Sequence, residues 1–377
     1  MIICENCFSS AMIRQTLGRD GVGVAGYCPT CGQNSKFTLD TERVSELAPE
    51  LIDWFGDLIS KFDTAEMLPP HYPKRNRRML NAELKNNWNI FSNQVDEEKI
   101  YDILTSICSD LYGLQKERFD QPVAIAGQVD PVFLQAHSLT NGKLWDEFVD
   151  EITHRNRYHA RTLNLEVFER VISHLRITLR KETVFYRCRL TDGSTPYSKD
   201  DMGAPPKGKS TPGRANAAGI TCLYLASDIR TAIAEVRAGA FDHATVAEFR
   251  LKQDIPVIDF RAIQTLCPLG IGMDYYDYII NREHLKRIDM EMGRGLKRGD
   301  HSIDYVATQY ITDFVKSLQV PDETGNLQDA YWGIIYNSTL NQTGYNLAIF
   351  REDAFECISA KLVRILSLNY QTDPRIE

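Results

Sequence analysis

"TPGRANAAGITCLYLASDIRTAIAEV", Thr211 to Val236, decides how the second half of this chain is read. Pro212, Gly213, Asn216 and Gly219 rule out a helix or a central strand in its first part, so that part is a loop. "LYLAS" reads as a strand. A short helix follows, capped by Ser227 or Asp228, with Ile229, Ala232, Ile233 and Val236 as its apolar face. Glu235 lies on the flank of that face. The positions four residues away are Thr231 and Gly239, so no helical salt bridge accounts for it. A polar loop holding Arg214, then a strand, then a helix ending near an unpaired glutamate is the texture of a mixed α/β domain.

Working outward, "TVFYRCRL" (Thr183–Leu190), "ATVAEFRL" (Ala244–Leu251), "GIIYNS" (Gly333–Ser338) and "YNLAIF" (Tyr345–Phe350) alternate and are rich in β-branched and aromatic residues, which predicts strands. Helices are expected over Asp228–Gly239 and Ile303–Leu318. The strand spacing is too irregular for a regular βαβ repeat, so no Rossmann fold is expected. Upstream, from about Asp40 to Leu179, the pattern is helical. Val44, Leu47, Leu51, Trp54, Phe55, Leu58 and Phe62 form one stripe; Ile100, Ile103, Leu104, Ile107, Leu111 and Leu114 form another. Phe148, Val149 and Ile152 make a third, and Leu165, Phe168, Val171, Ile172 and Leu175 a fourth. "LPPHYPKRNRR" (Leu68–Arg78) separates the first two, because its prolines cannot continue a helix.

The chain of 377 residues has net charge −8 and 43% hydrophobic content, the profile of a globular protein with two or three domains. The acidic balance argues against a general nucleic-acid binder. No apolar run reaches the length of a membrane span. "MIICENCFSS" lacks the basic and apolar blocks of a signal peptide, and the nine cysteines do not form a disulfide framework. A reducing, cytoplasmic location is the expectation.

Cys4 and Cys7 in "CENC", with Cys28 and Cys31 in "CPTC", form two C-x-x-C turns. Each turn presents two thiolates to one ion, and two turns complete a tetrahedral site. Residues 1–36 are therefore expected to be a zinc ribbon with a structural Zn2+, since four thiolates leave no open position.

"GAPPKGKS" (Gly203–Ser210) satisfies the letters of a P-loop. No strand precedes it, no helix follows it, and Pro205 and Pro206 remove backbone donors, so it is read as a polar loop. Arg155 and His159, and Arg170 and His174, are each four apart. The helical stretch 37–180 resembles the HEPN domain, but the HEPN nuclease spacing of Arg and His does not match, and no ribonuclease activity is expected.

Taken together, Arg187 in "FYRCRL", Gly213–Arg214–Asn216–Gly219, Tyr224, Glu235 and Ser338 resemble the RES domain family, named for its Arg, Glu and Ser. The resemblance covers about Thr183 to Arg364. Ala215 stands where the family usually has Trp, and "YRCRL" offers both Arg187 and Arg189. The overall expectation is an α+β chain: ribbon 1–36, HEPN-like helical domain 37–180, and a mixed α/β RES domain 181–377 resembling the ADP-ribosyltransferase fold. The resemblance implies an enzyme that cleaves NAD at the nicotinamide–ribose bond, by hydrolysis or phosphorolysis, as a toxin whose antitoxin is a separately encoded helix-turn-helix protein. It implies Glu235, Arg187 and Ser338 as catalytic residues, and Arg214, Tyr224, Asn216 and Tyr186 at the substrate. The same pocket would serve a mono-ADP-ribosyltransferase, and a non-catalytic binding module is the reading from another class.

Overall fold

The computed structural model describes residues 1–294 and 302–368. The chain divides into two compact units. One comprises Met1–Leu144, Arg161–His174 and Ile263–Leu285; the other comprises Trp145–Ala160, Leu175–Ala262 and Lys286–Glu377.

The first unit begins with strands β1 (Ile2–Cys4), β2 (Val24–Cys28) and β3 (Gln33–Asp40), ordered β1-β3-β2 and antiparallel throughout. Gly32 turns the chain between β2 and β3 at φ +75, a conformation that side chains with a Cβ resist. This small sheet docks on the helical part of its own unit. Ser9 N donates to Ile90 O at 2.8 Å, Ser92 N donates to Cys7 O at 2.9 Å, and the Phe8 and Phe91 rings lie 5.4 Å apart.

The helical stripes form as the periodicity dictates. Helix Pro49–Ser60 buries Leu51, Phe55, Leu58 and Ile59 and starts with proline, whose missing N–H costs nothing there. Helix Glu97–Ile107 buries Ile100, Ile103, Leu104 and Ile107, and its cap Asp96 accepts from Lys99 N at 2.9 Å. Helix Leu165–Ser173 buries Val167, Phe168, Val171 and Ile172. Trp88, fully buried, packs tilted or edge-on against the rings of Phe62, Tyr275 and Tyr278.

The second unit is built on an eight-stranded mixed sheet. Its strands are β4 (Arg176–Leu179), β5 (Val184–Thr191), β6 (Leu223–Ala226), β7 (His243–Leu251), β8 (Ile255–Asp259), β11 (Gly333–Asn337), β12 (Tyr345–Ile349) and β13 (Phe355–Arg364). The numbers β9 (Gln319–Pro321) and β10 (Leu327–Asp329) belong to a separate hairpin. The order is β13-β7-β5-β6-β12-β11-β8-β4, antiparallel except where β11 runs parallel to β8. One face carries the main core, with Phe185, Leu223, Leu225, Phe249, Val257, Ile335 and Leu347. The other face carries Ala226, Val246 and Cys188 against Ala232 of the helix Ile229–Glu235.

Three expectations are corrected. Residues 176–179, read as the end of the helical stretch, form β4, which pairs with β8. Ile229, placed on the apolar face of its helix, is 43% exposed, while Thr231 and Ala232 are buried. Arg155 and His159 share no helix face. Arg155 ends a π-helical turn (Glu151–Arg155), and His159 follows in an irregular segment.

Candidate functional site

The eight-stranded sheet has one weak seam. β5 and β6 pair at a single position, Tyr186 with Ala226. Beyond it the ladder opens, and the gap holds a cavity of about 300 Å3 lined by Tyr186, Arg187, Cys188, Tyr224, Leu225, Ala226, Gly213, Arg214, Glu235, Tyr305, Tyr336 and Asn346, among others. An unpaired stretch of central sheet exposes backbone that must be satisfied otherwise. Arg187 does this in part: its Nη1 donates to Tyr224 O at 3.1 Å. The Arg187 Nε is buried with no partner, and burial, with Arg189 nearby, pulls the guanidinium down to about 10. Arg189 turns away and donates to Gly203 O at 2.8 Å.

Glu235 is the last residue of its helix. Asp228 caps the start, accepting from Thr231 N at 2.9 Å, and Arg237, at φ +51, ends the turn just beyond. The Glu235 side chain is held from the sheet. Ser338 Oγ and Asn346 Nδ2 each donate to its Oε1 at 2.7 Å. Ser338 and Asn346 are both buried, whereas Glu235 is exposed. Among the described residues no hydrogen bond reaches Oε2. One oxygen is fixed and the other is left unbonded, on a residue that lines the cavity.

The loop ahead of β6 is fastened to its surroundings. Asn216 is buried, and its Nδ2 shares its two hydrogens among four acceptors within reach, Ser210 Oγ, Thr211 O, Ala217 O and Ile220 O, the last at 3.0 Å. Tyr224 Oη donates to Asn216 Oδ1 at 2.6 Å and accepts from Ala215 N at 2.9 Å. Burial raises the Tyr224 phenol well above its ordinary value. Gln309 Nε2 donates to Gly213 O at 2.8 Å and to Asn216 O at 2.9 Å. Gly213 has to be glycine, because a Cβ there would lie 2.6 Å from Tyr224 Oη and 2.8 Å from Asn216 Oδ1. Arg214 donates through Nη1 to Glu291 O at 2.6 Å and through Nη2 to Arg294 O, and it sits 5.8 Å over the Tyr336 ring. Carbonyls at a helix end carry partial negative charge and attract a cation.

The residues expected from the sequence thus fall into two groups. Arg187, Arg214, Tyr224, Tyr186 and Glu235 line the cavity. Asn216 and Ser338 do not: Asn216 holds the loop, and Ser338 acts on the cavity through Glu235. Sequence reasoning missed Tyr305, Tyr336 and Asn346. Two signals were legible. Tyr336 stands two residues before Ser338 on an alternating strand, and Asn346 is a lone polar residue in the apolar run "YNLAIF".

In the first unit the four cysteines converge. Their sulfurs all lie within 4.8 Å of one another, with Cys4–Cys31 at 3.4 Å, Cys7–Cys28 at 3.6 Å and Cys4–Cys7 at 3.8 Å. A tetrahedral metal site with bonds of about 2.3 Å spaces its sulfurs by about 3.8 Å, so the donor set fits. Burial pushes the Cys4 thiol up to about 12 and Cys7 higher still. A resident cation is what would hold such thiols as thiolates.

A mixed sheet opened at one seam thus carries arginine, tyrosine and a half-free carboxylate around one cavity. Residues 184–371 match the family model of the RES domain. No curated protein and no solved structure matches the chain. No helix among the described residues is long and apolar enough to cross a membrane.

Proposed function

We propose that residues 184–371 form an NAD-consuming enzyme that breaks the nicotinamide–ribose bond. The observation that carries the reading is the half-open carboxylate of Glu235 in a cavity shared with Arg187 and Arg214. The C1′–N bond breaks, its electron pair goes to the ring nitrogen, and nicotinamide leaves neutral. The ribose then carries positive charge, which a fixed carboxylate stabilises without needing to move a proton. Glu235 supplies that charge through Oε2, while Ser338 and Asn346 hold Oε1. Water or phosphate adds to C1′ from the open side, and its proton passes to solvent. Ser338 is a positioning residue rather than a nucleophile, since its hydroxyl is bonded to the carboxylate.

Arg187 and Arg214 take the pyrophosphate. Arg214 would exchange its carbonyl partners for phosphate oxygens, adding the attraction of opposite charges to the hydrogen bond. Tyr224, Tyr186 and Tyr336 wall the nicotinamide and ribose. The RES match is consistent with a growth-inhibiting, toxin-like role; a separately encoded helix-turn-helix antitoxin is the partner we propose for it. The cysteine cluster is assigned a structural Zn2+, with all four positions filled by sulfur. The chain is proposed to comprise the ribbon 1–36, the helical domain 37–180 and the RES domain 181–377.

The test is purified protein incubated with NAD, followed by chromatography for nicotinamide and for the ribosyl product. Nicotinamide with ADP-ribose or its phosphate is expected. Intact NAD under all conditions would overturn the reading, and label carried onto a macromolecule would replace hydrolysis by transfer.

A further inference from the structure

The run "KRNRR" from Lys74 to Arg78 is unused by the proposed catalytic site. It lies in the first unit, and Pro73 directs it into a short 3-10 turn, Lys74–Asn76. That turn edges a cavity of about 260 Å3 into which Arg75, Arg78 and Arg282 converge. Arg282 comes from a different helix, Tyr275–Met292.

The charges there are not balanced locally. Arg75 makes no hydrogen bond or ion pair among the described residues. Arg77, the next cation in the run, has its Nε buried without a partner. Arg282 spends its donors on neutral acceptors, Asn87 Oδ1 and Asn86 O, and its nearest carboxylate, Glu283 at 3.6 Å, is 75% exposed. Glu83 is the acidic wall, but it already accepts from Asn87 Nδ2 at 2.6 Å and Trp88 Nε1 at 3.3 Å, and it lies 3.8 Å from Arg78 Nε. Asp63 is taken by Ala126 N at 2.8 Å. Among the charged residues that line the cavity, Arg75, Arg78 and Arg282 outnumber Glu83. Collecting so many guanidiniums in an acidic chain costs repulsion unless an anion joins them.

We propose that this cavity binds a phosphate group, with Arg75, Arg78 and Arg282 as its forks and the Asn76 side chain at its edge. Guanidinium matches phosphate oxygens in planar, paired hydrogen bonds, which a carboxylate-poor cavity of this size accommodates once. The ligand is a phosphorylated small molecule or the terminal phosphate of a single-stranded nucleic acid. A groove that tracks a nucleic-acid backbone would need a longer basic stripe than one cavity provides. The site is independent of the NAD reading.

Calorimetric titration of the full-length protein with inorganic tripolyphosphate tests it. Wild type binds, and Arg75→Glu weakens binding about ten-fold or more, one lost charge-assisted contact being worth that much. Arg78→Gln weakens it as well. Lys181→Glu, a surface charge change in the second unit, leaves it unchanged. Arg75 is exposed, so its variant keeps the fold, and an unshifted melting temperature checks this. Competition by ATP or by a 5′-phosphorylated RNA oligomer, with no competition from the dephosphorylated oligomer, supports the site and names its source. Absent binding, or binding indifferent to Arg75 and Arg78, overturns the proposal.

Discussion

Asp277 and Glu235 are both carboxylates gripped by neighbouring side chains, one in each unit, and they are gripped differently. Asp277 is nearly enclosed, its side chain 4% exposed. Arg170 holds both its oxygens, Nε to Oδ2 at 2.9 Å and Nη2 to Oδ1 at 3.2 Å, and His137 Nδ1 adds a bond to Oδ1 at 2.7 Å. Glu235 has no cation on it among the described ion pairs, both of its bonds fall on one oxygen, and it is open to solvent. A saturated carboxylate fastens elements together; a half-saturated one is aimed. The contrast also explains why His137, Asp274 and Asp277, though close enough to share a metal, read as a structural knot: Arg170 already occupies the charge.

The comparison predicts that mutations at the two carboxylates separate activity from stability. Glu235→Ala gives the largest functional effect, a fall in nicotinamide release of about 100- to 1000-fold, with a near-native melting temperature. Steady-state rates and thermal melts of the same preparation check both halves. Asp277→Asn does the reverse. It strands Arg170 and His137 and costs about 2–4 kcal/mol in denaturant melts, while leaving release per folded molecule unchanged. Chelation of the cysteine cluster belongs with Asp277: the melting temperature should drop, and NAD cleavage by the remaining folded protein should persist.

Asn346 sharpens the contrast further. Asn346→Ala frees Oε1 of one donor and should lower kcat about ten-fold with little change in KM. Asn346→Asp should be worse than alanine, because it sets a second negative charge against Glu235. Equal activity in both variants would remove Asn346 from the positioning role.

The smallest expected effect is on pH. His174 and His284 are held below their ordinary value of 6.5, chiefly by burial. The unfolded chain then takes up protons first, so stability is full above about pH 6.5 and declines as pH falls below it. Melts between pH 8 and pH 5 should show the decline, reduced in His284→Gln.

Much of this was legible in the sequence where one physical signal dominated. Alternation gave β5, β7, β11 and β12, and 3.6-residue stripes gave the helices that bury Leu51, Ile103 and Val171. The misses lacked a clean signal. β8 is short and contains Pro256; β13 mixes Glu356, Lys361 and Arg364 into a sheet edge; β4 follows directly on a helical stripe. Helix Tyr275–Met292 scatters its buried Tyr278, Leu285, Ile288 and Met292 among charges. At the site, Arg187 and Glu235 were reachable only by reading distant motifs together. The bond from Ser338 to Glu235 spans 103 residues, and no local pattern encodes it. That Arg214 caps a helix end, and that Asn216 serves its own loop, depended on tertiary partners invisible in one dimension.

The most direct test of the central claim is nicotinamide release from NAD by wild type, Glu235→Gln and Asp277→Asn, assayed at equal folded concentration. The account predicts release by wild type and by Asp277→Asn, and almost none by Glu235→Gln. Undiminished release by Glu235→Gln, or no release by the wild type, would contradict it.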